Sequence, residues 1–292
     1  MYFLGIKHGR FVVFSLAPML VLFVVLTVFP TVAAIWMSFF NYNLMRPVHP
    51  FVGLANYRRM LDDAVFQKSL FNTIKFAALT LPLNIVLSLP IAIALNSIKR
   101  LKTFFRTAYF LPTVTSLVAI SLIWLFLYDP VNGLINTVLG WFGLPSYAWL
   151  RDPRLALPAI VVAYVWQDLG YNIVVFLAAL QGLPDFYYEA ARIDGANFWH
   201  EFRYITLPLL KPVMGMVFIL TIISAVKVFA PVQIMTGGGP MNSTRVLVFH
   251  IYETAFSLFR MGYASAMAVV LLIIILILTL IQRWLFRTDW EY

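Results

Sequence analysis

Six long apolar segments dominate this sequence, and they constrain its fold more than any other feature. A helix needs about 20 mostly apolar residues to cross the hydrocarbon core of a bilayer. Charged residues make up only 11% of the chain, whereas a soluble domain carries roughly 25%. The sequence therefore predicts an all-α, polytopic membrane protein with one transmembrane domain over 1–292 and spans at about 11–39, 71–95, 108–128, 156–180, 213–236 and 265–286. The first of these runs is too long for a signal peptide, whose apolar region is about 7–15 residues, so we interpret it as a retained span.

The basic residues indicate which side of the membrane each loop faces. An even number of spans places both termini on one side, and the short loop SIKRLKTFFR carries a dense cluster of Lys and Arg. Basic residues in short loops mark the cytoplasmic side. Both termini, the 96–107 loop and the 181–212 segment are therefore predicted to be cytoplasmic. Anionic headgroups account for the net charge of +9, so membrane lipids and no nucleic acid are the expected partners.

The 181–212 segment is unusual because it is polar and aromatic between two apolar spans. From Glu189 it reads EAARIDGANFWHEFRYITLPLLKP. Gly195 can adopt a positive φ and end a first helix, and Asn197 is a good N-cap for a second. Pro208 is expected to bend or end that second helix. The pattern predicts a helix, a glycine turn and a helix, either as a partner-binding element or as a surface helix packed on the headgroups.

Fixed residues within this segment resemble the EAA loop of bacterial ABC importer permeases. The matching positions are Glu189, Ala190, Ala191, Gly195, Ile205, Leu207 and Pro208. Other stretches resemble the carbohydrate-uptake branch, which includes the maltose and glycerol-3-phosphate permeases: FVGLANYRRML, FNTIKF, FLAALQGLP, MTGGGPMNSTRVLVFHIY and MGYASAMAVVL. The resemblance covers nearly the whole chain, and it implies the type I importer permease fold in a bacterial cytoplasmic membrane.

The resemblance also implies a set of partners and a mechanism. In that family the EAA loop forms a coupling helix that docks on a separate ATPase, so the matching residues here are the expected ATPase-coupling residues. The expected assembly contains a second homologous permease, as a heterodimer, two ATPase subunits and an extracytoplasmic solute-binding protein. The chain has no G-x-x-x-x-G-K-[ST] motif, which nucleotide hydrolysis needs. We therefore expect no enzyme activity and no bound cofactor in this chain, with ATP and Mg²⁺ on the partner ATPases.

Polar side chains within the spans are candidates for the solute path, because their burial in a membrane is costly. The candidates are Gln167, Asp168, Tyr171, Asn172, Lys227, Phe229 and Gln233. Two alternatives remain open at this point: Asp168 and Lys227 could neutralise each other as a structural pair, or Lys227 could extend to an interface. Asn84 and Thr115 are expected to make hydrogen bonds between helices. The His residues are isolated, so no metal site is expected.

The predicted function is inward movement of a sugar or related polyol by alternating access. Glycerol-phosphate or another small polar solute is the alternative cargo. An ion-coupled secondary transporter would require inverted repeats and coupling carboxylates. The spans contain one central acid, Asp168, and show no repeat, so this alternative is disfavoured.

Overall fold

The computed structural model describes residues 6–98 and 102–286, and their side chains within 13–98 and 103–286. Within those ranges the chain is almost entirely helical, as predicted, and one isolated antiparallel bridge joins Phe40 to Phe51. The helices in chain order are α1 Ile6–Phe23, α2 Phe29–Met37, α3 Ala55–Asp62, α4 Ala64–Ser97, α5 Lys102–Val114, α6 Leu117–Leu127, α7 Leu134–Trp141, α8 Ala156–Gln181, α9 Phe186–Ile193, α10 Phe198–Glu201, α11 Leu207–Val226, α12 Ala230–Met235, α13 Leu247–Tyr252 and α14 Met261–Leu285. Single π-helical turns at Val24–Val28, Phe202–Thr206 and Glu253–Ser257 lie next to α1, α10 and α13.

Five helical stretches are long and apolar enough to cross a membrane. They are Val13–Met37, Ala64–Ser97, Ala156–Gln181, Phe198–Met235 and Met261–Leu285. A sixth candidate consists of two helices, Thr103–Val114 and Leu117–Leu127, that meet at 97°. The part of the chain that the structure describes therefore has five candidate spans, or six if the bent pair is one span.

The bent pair differs from the single helix predicted over 108–128. Pro112 lies inside α5, where it lacks an N–H and crowds the preceding turn. The Thr115 hydroxyl donates to the Leu111 carbonyl at 3.0 Å, and Ser116 is extended with ψ 128°. This local chemistry ends α5 and lets the chain turn before α6 begins. Thr115 thus bonds within its own helix, contrary to the interhelical bond predicted for it.

The described residues group into two compact units, one within 1–63 and 251–272 and the other within 64–250 and 273–292. The single domain predicted over 1–292 stays a prediction. In the first unit, the Gly262 N–H donates to the Tyr42 carbonyl at 2.9 Å. A Cβ on Gly262 would collide with the Phe40 carbonyl, so this close approach requires glycine. The Tyr263 hydroxyl donates to Asp63 Oδ2 at 2.8 Å and completes this tie.

The second unit is built around α4, α8 and α11. Its apolar core contains fully buried side chains from all three helices, among them Ala92, Ile173, Phe176, Leu210 and Val217. At Gly170 the backbone of α8 approaches α5 so closely that a Cβ would collide with the Tyr109 carbonyl. This core fixes the end of α8 and the start of α11, and these two ends hold the 181–212 segment between them.

Candidate functional site

The EAA segment, defined as residues 181–212, has the local structure predicted for it. Helix α9 ends at Ile193, and Gly195 adopts φ +81°. The Ala196 N–H donates to the Ala191 carbonyl at 2.9 Å, which closes the glycine turn. Asn197 Oδ1 accepts the His200 N–H at 3.0 Å and caps α10. The predicted helix, glycine turn and helix are confirmed as a structure, while their role stays a prediction.

Beyond α10 the second helix does not end at Pro208, which was one of the two effects predicted for this residue. Helical geometry continues from Phe198 through a π-helical turn into α11, where Pro208 occupies one of the first two positions. Because the helix is continuous, Pro208 lacks the N–H that another residue at this position would donate to the preceding turn. The wider π turn before it leaves the Thr206 hydroxyl free to donate to the Glu201 carbonyl at 3.3 Å. Pro208 therefore does not end the second helix, and the bend that was the other predicted effect stays a prediction.

Two side-chain contacts join the helices on either side of the glycine turn. Arg192 donates to Glu201 with both Nε, at 2.7 Å, and Nη2, at 3.3 Å. The hydrogen bond that Arg192 donates to Glu201 raises the pKa of the Arg192 guanidinium above its ordinary value. Tyr188 and Thr206 share a hydroxyl–hydroxyl bond of 3.0 Å nearer the membrane. The EAA segment is thus closed by one charged contact and one neutral contact.

The residues that match the EAA loop present a mixed surface. Glu189, Gly195 and Pro208 are exposed, while Ala190, Ala191, Ile205 and Leu207 are partly buried. A concavity of about 740 Å³ opens between α9, α10 and the ends of α4 and α8, with Glu189 and Glu201 on its wall. Small alanines beside an exposed carboxylate allow a partner to approach closely and to donate a charge-assisted hydrogen bond.

A buried polar cluster lies at mid-depth among α4, α8 and α11. Asn84 donates to Asp168 Oδ2 at 2.7 Å, and Asn172 donates to Asn84 Oδ1 at 2.7 Å. Asn172 also lies 3.2 Å from Asp168 Oδ2 and 3.4 Å from Thr221 Oγ1. The predicted interhelical role of Asn84 is confirmed. Asn172 is buried in this network, so in this chain its amide holds Asp168 rather than facing an open surface.

The structural pair of Asp168 with Lys227 is not formed. No ion pair joins these two residues, and Asp168 Oδ2 instead accepts a hydrogen bond from the Asn84 amide. Lys227 follows the last residue of α11, and its side chain is exposed. This alternative for the two residues is therefore excluded by the structure.

Lys227 nevertheless lies at the depth of Asp168. Asn172 and Thr221 contact each other, so they mark one level in two consecutive spans that run in opposite directions. Asp168 precedes Asn172 by four residues and Lys227 follows Thr221 by six. At 1.5 Å per helical residue these steps are about 6 Å and about 9 Å toward the same side. The cation and the acid thus share a level near the middle of α8 without touching.

The remaining path candidates differ in how far they are exposed and in what they contact. Tyr171 and Gln233 are exposed, and Phe229 is partly buried with its ring 6.2 Å from that of Phe249. Gln167 is tied to α5, since its Nε2 donates to the Thr113 carbonyl at 3.2 Å while the Thr113 hydroxyl donates to the Gln167 carbonyl at 2.9 Å.

The sequence did not predict three residues that hydrogen-bond to candidate or neighbouring side chains: Thr113, Thr221 and Glu201. The opposite charges of Arg192 and Glu201, placed either side of a predicted reversal, were a signal for the ion pair. The two threonines gave no such signal, because their partners depend on how the helices are rotated. No group of three His, Asp or Glu side chains in the described ranges could hold a metal ion.

Comparison with known proteins identifies related chains over nearly the whole length. The family described as "Binding-protein-dependent transport system inner membrane component" matches residues 84–288. A probable ABC transporter permease protein of Bacillus subtilis (strain 168), YurN, is 36% identical over 280 residues, with 94% of this chain and 96% of that protein covered. The arabinooligosaccharides transport system permease protein AraP of Halalkalibacterium halodurans is 35% identical, with 92% and 85% covered.

A solved structure shows the same fold. It is a bacterial alginate ABC transporter in complex with an alginate pentasaccharide-bound periplasmic protein, and one of its chains superposes with a TM-score of 0.85. The two chains are 21% identical, and the match covers 97% of this chain and 96% of the other.

Proposed function

This chain belongs to the family of binding-protein-dependent transport system inner membrane components, and on that premise we propose that it carries a carbohydrate inward across the bacterial cytoplasmic membrane. The chain is a permease subunit of an ABC importer, and it is a multi-pass membrane protein. The arabinooligosaccharide permease, at 35% identity over most of its length, supports a sugar as the cargo. The placement of both termini in the cytoplasm is part of this proposal.

One observation supports the proposed mechanism most directly: the EAA segment exposes a helix, a glycine turn and a second helix. Glu189 is exposed beside two small alanines, and Gly195 sets a turn that no other residue adopts without strain. We assign the docking of an ATPase to this surface, with Ile205, Leu207 and Pro208 linking it to α11. Movement of the ATPases would then reach the membrane through α8 and α11, which hold the two ends of the segment.

In this proposal ATP hydrolysis on two partner ATPases, which bind ATP with Mg²⁺, supplies the energy for transport, and this chain is not itself an enzyme. The absence of G-x-x-x-x-G-K-[ST] from the sequence supports that division. A second, homologous permease completes the membrane part as a heterodimer, and an external solute-binding protein delivers the cargo. The periplasmic protein bound to the alginate transporter supports the last of these partners.

The solute path in this proposal runs past exposed side chains, Tyr171, Lys227 and Gln233, and partly buried ones, Gln167, Asp168 and Phe229. Asn172 contributes by fixing Asp168. Hydroxyl-bonding groups and aromatic faces are the side chains that recognise sugars. Lys227, exposed and outside any ion pair in the described ranges, is the observation that favours a second candidate cargo, an anionic one such as a polyol phosphate.

The test is copurification in mild detergent followed by uptake in reconstituted vesicles. Wild type is expected to bring down an ATPase with a Walker A motif and a second permease. A Glu189→Arg, Gly195→Pro double variant should lose the ATPase and keep the permease, while Gly182→Ala, a tolerated change in the same segment, keeps both. A chain that purifies alone and transports without ATP would contradict the proposal.

The path is tested separately by cargo competition. Lys227→Gln should reduce uptake at normal expression and normal ATPase binding, and Lys227→Arg should retain most of it. Neutral sugars and polyol phosphates are compared as competitors of the wild type. Uptake that is unchanged in both Asp168→Ala and Lys227→Ala would remove these two residues from the path.

A further inference from the structure

The loop between α6 and α8 exposes a cluster of large apolar side chains at its far end. We call this cluster the α7 tip; its members are Val131, Leu134, Trp141, Phe142 and Leu144. The exposed fractions of the Trp141 and Phe142 side chains are 76% and 75%. Leu134 and Trp141 are seven residues apart, so they lie on one face of α7. Clustered exposure of this kind marks an interaction surface rather than ordinary surface scatter.

The α7 tip is held in place by hydrogen bonds of the buried side chain of Asn136. Asn136 is buried and donates to the Tyr147 carbonyl at 2.9 Å and the Pro130 carbonyl at 3.2 Å. Its Oδ1 accepts the Trp149 indole N–H at 2.9 Å. A Cβ on Gly133 would collide with the Asp129 carbonyl, so the turn into α7 is also tightly packed. The tip is therefore presented by a defined structure, with its polar side turned inward.

The position of the loop places it at the boundary of the membrane. It begins where α6 ends and returns to the start of α8. The Tyr128 hydroxyl donates to the Ala159 carbonyl at 3.1 Å, so these two helix ends lie at the same level. The EAA segment follows the opposite end of α8, so the loop lies at the other membrane boundary.

The charge pattern matches a lipid interface. No charged residue occurs between Asp129 and Arg151, although this stretch is mostly exposed. At the start of this stretch, hydrogen bonds from the backbone N–H groups of Asn132 and Val131 hold the pKa of the Asp129 carboxyl below its ordinary value. Tryptophan and tyrosine are enriched where a protein meets the bilayer interface. A surface that must stay soluble until a protein partner arrives would be expected to carry charged residues around its apolar centre.

We propose that the α7 tip is a lipid anchor, which inserts into the bilayer interface at the end of α8 opposite the EAA segment and takes phospholipid as its ligand. Helix α7 lies in the plane of the interface, with the face of Trp141 in the acyl boundary and the face of Asn136 against the protein. The anchor fixes the mouth of the transporter to the membrane while the other end of α8 follows the EAA segment. This inference is independent of the cargo and of the ATPase assignment.

The absence of cysteine from the chain allows a direct test by site-directed spin labelling. Phe142→Cys is labelled with a nitroxide in the assembled transporter, reconstituted in phosphatidylethanolamine and phosphatidylglycerol vesicles. Collisions with oxygen, which concentrates in lipid, are compared with collisions with a water-soluble nickel chelate. Arg154→Cys, exposed on the same loop, is the matched water control, and Leu280→Cys, exposed on α14, is the hydrocarbon reference.

The expected oxygen-to-nickel collision ratio at position 142 is several-fold above that at position 154 and below that at position 280. Each variant must transport like the wild type for its ratio to count, and Trp141→Cys provides a second site on the same face. A ratio at 142 equal to that at 154 would overturn the proposal. So would low collision rates with both reagents, which would show that a protein covers the tip, or loss of oxygen access only when the solute-binding protein is added.

Discussion

Arg192 and Glu201 form a two-point ion pair across the glycine turn of the EAA segment, with N–O distances of 2.7 and 3.3 Å. The exposed fraction of the Arg192 side chain is 65%, whereas that of Glu201 is 13%. Exposed ion pairs contribute little to global stability. Their geometry, however, fixes the angle between α9 and α10, and a docking surface depends on that angle.

Charge reversal at this pair is expected to uncouple ATP hydrolysis from uptake. Arg192→Glu places two acids together, so α9 and α10 should separate while the spans stay folded. We expect several-fold more ATP hydrolysed per solute imported, with little change in melting temperature. The measurement is the ratio of ATPase rate to uptake rate in vesicles.

The matched control is the exchanged pair, Arg192→Glu with Glu201→Arg. It restores the attraction and should recover most of the coupling. If the exchanged pair is as defective as the single variant, then Arg192 acts by contacting the ATPase directly and the ion pair is not the cause.

Gly195 is expected to be intolerant of any side chain for a conformational reason. Its φ of +81° lies in the left-handed region, which costs other residues roughly 1–2 kcal/mol. No atom lies within 4 Å of the place a Cβ would occupy, so steric overlap plays no part. Gly195→Ala should lower ATPase binding, whereas Gly195→Asn, which tolerates this region better, should lower it less. Equal binding by all three proteins, measured by copurification, would refute the conformational argument.

Asn84 is expected to contribute to the stability of the fold rather than to contact the solute. It accepts from Asn172 and donates to Asp168, so Asn84→Leu leaves two buried polar groups without their partner. Such a loss costs about 1–3 kcal/mol. We expect a lower melting temperature in detergent, and the double variant Asn84→Leu, Asp168→Leu should recover part of it. Ser97→Ala, which loses one exposed bond within the same helix, is the control expected to melt like the wild type.

Local patterns predicted much of this structure, and long-range geometry accounts for what they missed. The turn at Gly195 and the cap at Asn197 depend on neighbours within a few residues, so both could be predicted. The lack of a contact between Asp168 and Lys227 could not be predicted, because it depends on where α11 ends, which is one residue before Lys227. In the sequence, the 97° bend after Pro112 is marked only by a proline near three hydroxyl residues, and these do not determine the angle between the two helices.

A substitution at Gly170 tests how closely α5 and α8 must approach each other. A Cβ there would meet the Tyr109 carbonyl and the Thr113 hydroxyl, and rigid backbone cannot move away cheaply. Gly170→Ala should therefore separate the two helices, break the paired bonds of Thr113 and Gln167, and lower both melting temperature and uptake.

Gly140→Ala is the matched control for this variant. Gly140 is also helical but has open space around its Cβ position, and alanine is favoured over glycine in a helix by roughly 1 kcal/mol. The Gly140→Ala protein should therefore have a melting temperature equal to or above that of the wild type. A Gly170→Ala protein that is as stable as Gly140→Ala would mean that α5 is free to move away from α8. The bent third span would then be a mobile element rather than one fixed by packing.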